Sequence, residues 1–267
     1  MSPLSILAVR FCLAFLILSA IFFRKMRSCS KASLKGGLLL GVLYTVCMVF
    51  EMYGLKTVDT GVAALIENMA IVMVPIFVAV LTRTLPKGKT MLCALLAVAG
   101  VGFLSITQIE QSGSAFGLTL VISAALTYGV CIIATDKVSH QADPITIGVI
   151  QMGTMGLLCL ILTFFTGGPA LPKSALQWQM LLLLVLLCSC FGFTFQPLGQ
   201  KYLSAETAAV FTVINPLAAS ILGFLVAGER LTVSKGIGCV LILTALLLYN
   251  LSWQPKAPAC EKTQSRP

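Results

Sequence analysis

The sequence predicts an all-α transmembrane fold, a polytopic bundle of about nine helices with an inverted-topology repeat, and three observations predict it. Of 267 residues, 58% are hydrophobic and only 10% are charged, whereas a water-soluble domain commits about a quarter of its residues to Asp, Glu, Lys and Arg. Such a composition cannot clothe a core in polar surface. Apolar stretches of about 20 residues recur along the chain, each long enough at about 1.5 Å per residue to cross a hydrocarbon layer about 30 Å thick. Their continuous apolarity excludes a closed β-barrel, whose strands alternate apolar and polar side chains over about 10 residues. Finally, a pattern of residues in the first half recurs in the second, displaced by an odd number of helices.

The first apolar run, 3 to 23, is interrupted by Arg10, and its positive charges (Arg24, Lys25, Arg27, Lys31 and Lys35) follow it. A secretory leader has its charges in front, so this run is expected to be a retained span. Runs at 36 to 54 and 60 to 82 come next, the second carrying Glu67, Asn68 and Pro75. Arg83, Lys87 and Lys89 form another basic connection before the run at 89 to 107. A Gln-Ser-Gly-Ser stretch after Glu110 leads into 116 to 136, and Asp143 with Pro144 opens 144 to 166. Gly167 to Pro172 separates that run from 176 to 197, and 204 to 227 and 234 to 252 complete the series. The tail, 253 to 267, is polar and is expected to be disordered.

Lys and Arg gather in alternate connections, which places those connections in the cytoplasm, the N-terminus outside and the C-terminus inside a cell membrane. The net charge of +9 therefore reports orientation and not nucleic-acid binding. The ten cysteines are scattered, mostly within apolar runs, and show neither C-x-x-C pairs nor His partners at zinc spacing, so they read as small packing residues and no metal or cofactor is expected. His140, the only histidine, sits in a short connection beside Asp136 and Asp143 and is expected to be solvated. With no Gly-x-Ser-x-Gly turn, no Walker A loop and no catalytic constellation, an enzyme is not expected, although a membrane-embedded enzyme stands as an alternative.

Gly54, Lys56, Ala63 and Ala64 match Gly199, Lys201, Ala208 and Ala209 at one displacement. One residue of slippage later, Leu85, Lys89, Cys93, Leu95 and Ala99 match Leu231, Lys235, Cys239, Leu241 and Ala245. The matched segments lie an odd number of helices apart, so the second copy runs upside down relative to the first. This divides the chain into 1–107, with four visible helices, a connection at 108–115, and 116–252, with five. The helix at 116 to 136 has no counterpart in front of Pro3.

Ala8-Val9-Arg10-Phe11, the run from Ala205 to Pro216 leading into Gly228-Glu229-Arg230-Leu231, and the Asp143-Pro144 step resemble the EamA branch of the drug/metabolite transporter superfamily over nearly the whole chain. The resemblance implies two five-helix repeats, ten helices in all, and export of a small metabolite, amino acid or amphipathic compound. This chain departs from that pattern in lacking the first helix and in having Arg83 where the second repeat has Glu229. An internal start at Met1 and a nine-helix variant or non-transporting remnant both remain open.

An ionisable side chain inside hydrocarbon costs at least about 2.5 kcal/mol, so those present are expected to be paired or to face a cavity. Arg10 and Glu67 lie at similar depth in helices that start on the same side. Either they clamp one another, or Glu67 lines a cavity and meets a cationic part of the substrate or a proton. Asn68, Tyr44, Gln151, Gln196 and Asn215 complete the candidate binding set, and Pro75 and Pro216 are expected to distort their helices and expose backbone carbonyls. Glu51, a turn from its helix end, is expected at a water-filled mouth, and Glu229 and Arg230 at helix ends. The expected partners are the lipid bilayer and a small molecule, with proton coupling or exchange supplying energy.

Overall fold

A computed structural model describes residues 2–58, 60–84, 88–105, 114–168, 170–212, 214–218 and 233–251. Glu229, Arg230, the tail at 253–267 and most of the connection at 108–115 lie outside the described residues. Every regular element among those described is helical. They are α1 (Pro3–Ile21), α2 (Phe23–Arg27), α3 (Lys31–Gly54), α4 (Thr60–Asn68), α5 (Ala70–Thr82), α6 (Gly88–Ser105), α7 (Ala115–Ser139), α8 (Pro144–Phe164), α9 (Ala175–Leu183), a π-helical segment (Leu184–Phe193), α10 (Thr194–Gln200), α11 (Ala205–Phe211) and α12 (Val233–Leu251).

Short polar residues set the helix starts. Ser2, Ser30, Ser114, Asp143, Ser174 and Ser204 each accept a hydrogen bond from the backbone N–H three residues on, the N-cap arrangement that satisfies a donor the helix itself leaves free. Ser30 starts α3 five residues ahead of the apolar run that marks it in the sequence, and the basic connection before it holds the extra short helix α2. At the far end of α8, Gly167 and Gly168 adopt φ of 103° and 87°, a turn that side chains with a Cβ rarely take.

Among the described residues, six helical stretches are long and apolar enough to cross a membrane: α1, α3, residues 62–82, α7, α8 and the continuous stretch from α9 through α10. Shorter apolar helices lie within α6 and α12. The expected span at 204 to 227 is described only through 212 and over 214–218. Leu16, Val80, Leu157 and Leu247 stand 62%, 72%, 58% and 63% exposed. In water these flanks would drive aggregation; in a bilayer they meet lipid tails.

Two seams hold the bundle together. α8 packs along α1 and α3, and α3 also packs along α7. Glycines set this spacing: a Cβ at Gly37 would strike the Ile150 side chain, one at Gly41 the Thr154 side chain, and one at Gly156 the Cys12 backbone and sulfur. Leu7, Phe11, Leu40, Tyr44, Ile147, Met152 and Met155 fill the resulting core. The second seam joins α6 to α12, where a Cβ at Gly100 would come within 2.9 Å of the Gly238 carbonyl oxygen. Ala97, Val101 and Ile242 are buried there, together with Ile71 of α5 and Val210 of α11.

Asp143 does double service at the start of α8. Its Oδ2 accepts from the Thr146 backbone N–H at 2.9 Å and hydroxyl at 2.6 Å, and its Oδ1 lies 3.4 Å from Lys25 Nζ of α2. Partial burial pushes this carboxyl up, but the two Thr146 bonds and the Lys25 charge outweigh it and hold it below the usual carboxylate range. A lowered folded-state value means the stabilisation is complete above the ordinary carboxylate range and disappears as pH falls through the lowered one. The ion pair itself is solvent-exposed and adds little. Asp143→Ala is therefore expected to cost about 1 kcal/mol, chiefly the cap. Thermal unfolding in detergent should show wild type and variant separated at neutral pH and converging as the solution is acidified.

Candidate functional site

A cavity of about 810 Å³ opens between the ends of several helices. Cys47, Met48 and Glu51 reach it from the last turns of α3, Ala64, Glu67 and Asn68 from α4, and Ala124 and Tyr128 from α7. Leu187, Cys188, Gly192 and Phe193 of the π segment, Gln196 and Gln200 of α10, and Phe211, Thr212, Asn215 and Pro216 from α11 onward close it. The lining is mostly apolar, with two carboxylates among its few polar groups.

Backbone irregularity surrounds this space. α4 stops at Asn68 and α5 resumes at Ala70; between them Met69 N–H bonds the Ile66 carbonyl three residues back, a tightened turn. Asn68 turns its amide onto its own helix, donating to the Ala64 carbonyl at 2.7 Å. The sequence expectation put the distortion at Pro75, yet the break falls six residues earlier, beside Glu67. Across the cavity, the π segment ends at Phe193, four residues before Pro197. Proline has no N–H to give the carbonyl at i−4, and widening the preceding turns accommodates that missing bond.

Arg10 does not clamp Glu67. Its Nε donates to Ser189 Oγ, a fully buried hydroxyl in the π segment, at 2.7 Å. Its guanidinium carbon lies 5.1 Å from the Phe11 ring centroid and 5.9 Å from that of Phe193, so the charge rests against two aromatic rings. Glu67 Oε1 is buried and has no hydrogen-bond partner among the described residues. Equal depth along two helices fixes height but not azimuth, and the sequence carried no signal for the latter. Glu51 lies within electrostatic reach of both Arg10 and Glu67.

Of the remaining expected residues, Gln196 and Asn215 line the cavity, as do Asn68 and Pro216. Glu51, expected at a water-filled mouth, lines it too. Tyr44 stands behind the wall: it is fully buried, and its hydroxyl accepts from Gln196 Nε2 at 2.8 Å. Its ring meets Phe193 edge to face with centroids 5.5 Å apart. Gln151 is only 1% exposed, lies in the seam where α8 meets α3, and does not line the cavity. Tyr128, Gln200 and Thr212 are polar lining groups that sequence reasoning missed. Pro197, legible in the sequence, could have directed attention to Gln200 and the π segment.

Losing the Ser189 hydroxyl would leave the Arg10 Nε without its acceptor, and hydrogen bonds to charged groups contribute about 1.5–3 kcal/mol. Ser189→Ala is expected to lower unfolding free energy by about that amount in detergent, with Ser189→Thr retaining most of it. Equal stability of all three proteins would show that the Arg10 contact is not what anchors the π segment.

The EamA-like transporter family matches this chain at residues 1–106 and 115–251. An uncharacterized transporter of Archaeoglobus fulgidus is 26% identical over 196 residues, spanning 73% of this chain and 68% of that protein. The uncharacterized transporter YoaV of Bacillus subtilis is 24% identical over 241 residues, spanning 86% and 80%. One solved crystal structure superposes with a TM-score of 0.78 at 16% identity, covering 94% of this chain and 88% of that one, a likeness of fold. With two matched segments that span nearly all of its apolar helices, the chain belongs to the EamA-like transporter family and is a multi-pass membrane transporter.

Proposed function

We propose that this protein is a secondary transporter that exports a small metabolite, amino acid or amphipathic compound by alternating access between two inverted repeats, 1–107 and 116–252. The observation that carries the reading is the cavity, because helices paired by the internal repeat contribute to it from both halves. Glu51 on α3 and Gln196 on α10 occupy corresponding positions and both line it, and α4 and α11, which carry the matched Ala63-Ala64 and Ala208-Ala209, face it with Ala64 and Ala208. Rocking one packed group of helices against another, each group drawn from both repeats, would open such a shared site to each side in turn.

The glycine-set seams suit this motion. α1, α3, α7 and α8 pack closely around one core, and α6 and α12 around another, so each can move as a unit while the broken α4–α5 span and the π segment absorb the change. Arg24, Lys25, Arg27, Lys31 and Lys35, gathered on α2 and the start of α3, support a cytoplasmic placement of that end, with the N-terminus outside and the C-terminus inside. In this reading Glu67, whose side chain lines the cavity, is the group through which a proton or an exchanged solute is coupled to movement.

The test is counterflow in proteoliposomes loaded with amino acids, small metabolites or amphipathic compounds, comparing wild type with Glu67→Gln. Loss of a charge-assisted contact of about 1.5–3 kcal/mol corresponds to a fall in exchange of about tenfold or more. Folded Glu67→Gln protein that exchanges solute at the wild-type rate would remove Glu67 from the cycle.

A further inference from the structure

Two buried oxygen atoms, on residues that line the cavity, have no donor among the described residues. Glu67 Oε1 is one; the other is Oε1 of Gln200, a residue only 4% exposed that lines the same space from α10. Burying a polar atom without a partner is unfavourable, and more so for a charged group. Glu51 adds a second carboxylate to the lining, while among the described residues no Lys, Arg or His contributes to it. Arg10 lies within electrostatic reach of Glu51, and its Nε is committed to Ser189. The described lining therefore carries negative charge without a cation, and its donors are neutral: Asn68, Gln196 and Thr212 donate to Ala64, Tyr44 and Ala209, and Tyr128, Gln200 and Asn215 are the others.

Its remaining surface describes the rest of the ligand. Tyr128, Phe193 and Phe211 bring aromatic rings to the lining, and Met48 and Leu187 bring aliphatic surface. Aromatic faces attract cations, and a cavity of about 810 Å³ falls in the range that encloses a small organic molecule. We infer that the ligand of this cavity is an amphipathic primary or secondary amine, whose ammonium N–H groups donate to Glu67 and Gln200 while its apolar body lies against the aromatic wall. The inference rests on the transport reading only in calling that ligand the substrate.

Several close relatives of such an amine fit less well. A quaternary ammonium has the charge but no N–H, and leaves both oxygens without donors. An alcohol has one donor and no charge. A carboxylate meets two like charges. An amino acid brings a suitable ammonium together with a carboxylate for which the lining offers no cation, so the amine is favoured over the amino acid of the same side chain.

The full chain, purified in detergent, is to be titrated calorimetrically with phenethylamine, hexylamine, the trimethylammonium analogue of phenethylamine, phenethyl alcohol, phenylpropionate and phenylalanine. The amines are expected to bind at least about tenfold more tightly than any other probe, the factor that one charge-assisted hydrogen bond supplies. Glu67→Gln should weaken amine binding about tenfold or more and leave the alcohol unaffected. Gel filtration and thermal melting check that variant's fold, and Glu51→Gln serves in its place if it fails, with the same direction of change. Absence of amine binding, tighter binding of the carboxylate or amino acid, or amine affinity indifferent to both substitutions would overturn the inference. Parallel flux measurements separate the two ideas: amine binding without amine movement removes the transport reading and keeps the ligand class, whereas movement of another solute without amine binding does the reverse.

Discussion

Hydrocarbon offers no hydrogen bonds, and that constraint organises the molecule. Every backbone N–H and C=O crossing the membrane must find its partner within the protein, so the described elements are helices, begun repeatedly by a serine or aspartate that accepts the first free donors. The same constraint limits buried charge to a few groups and makes each one informative. Arg10 is accommodated by a buried hydroxyl and two aromatic rings. Glu67 and Gln200 are not accommodated, and both border the cavity. Ser19 Oγ and both amide atoms of Gln151 are also buried without a partner among the described residues but do not line the cavity, so it is the coincidence of such atoms with the cavity that points to a ligand.

Close packing and irregularity divide the structure between them. Where α8 meets α1 and α3, and where α6 meets α12, glycines let backbones approach until a single methyl group would collide. Gly148 illustrates the tolerance: a Cβ there would sit 2.7 Å from the Thr194 carbonyl oxygen, at the junction between the π segment and α10. Around the cavity the helices are instead interrupted, by the break at Met69 and by the π turns ahead of Pro197. Tight seams hold the walls while the interruptions expose the polar groups that line the space. Under the proposed repeat Glu51 has Gln196 as its counterpart, so the two halves would differ in charge where they line the cavity.

The fold was legible in the sequence because span length and apolarity depend on composition alone. The runs at 144 to 166 and 116 to 136 became α8 and α7 within a few residues, and Asp143-Pro144 marked the start of α8 correctly. Site residues were legible where depth sufficed: Glu67, Asn68, Gln196 and Asn215 all reach the cavity. Azimuth and interhelical packing were not encoded in any local pattern. For that reason Arg10 was matched to Glu67 when it bonds Ser189, and Gln151 was placed in a cavity when it lies in a seam. The π segment is a collective response to Pro197 and to packing against α1 and α8, and an apolar run gives no warning of it.

Alternating exposure of this cavity is the central claim, and Cys188 reports on it directly. It lines the cavity, is exposed, and lies near the middle of the span from Ala175 to Gln200. A variant keeping Cys188 as its sole cysteine is to be treated with a small, charged, membrane-impermeant thiol reagent in right-side-out and in inside-out vesicles. Alternating access predicts modification from both sides of the membrane. Modification from one side only, whatever solute is present, would contradict it.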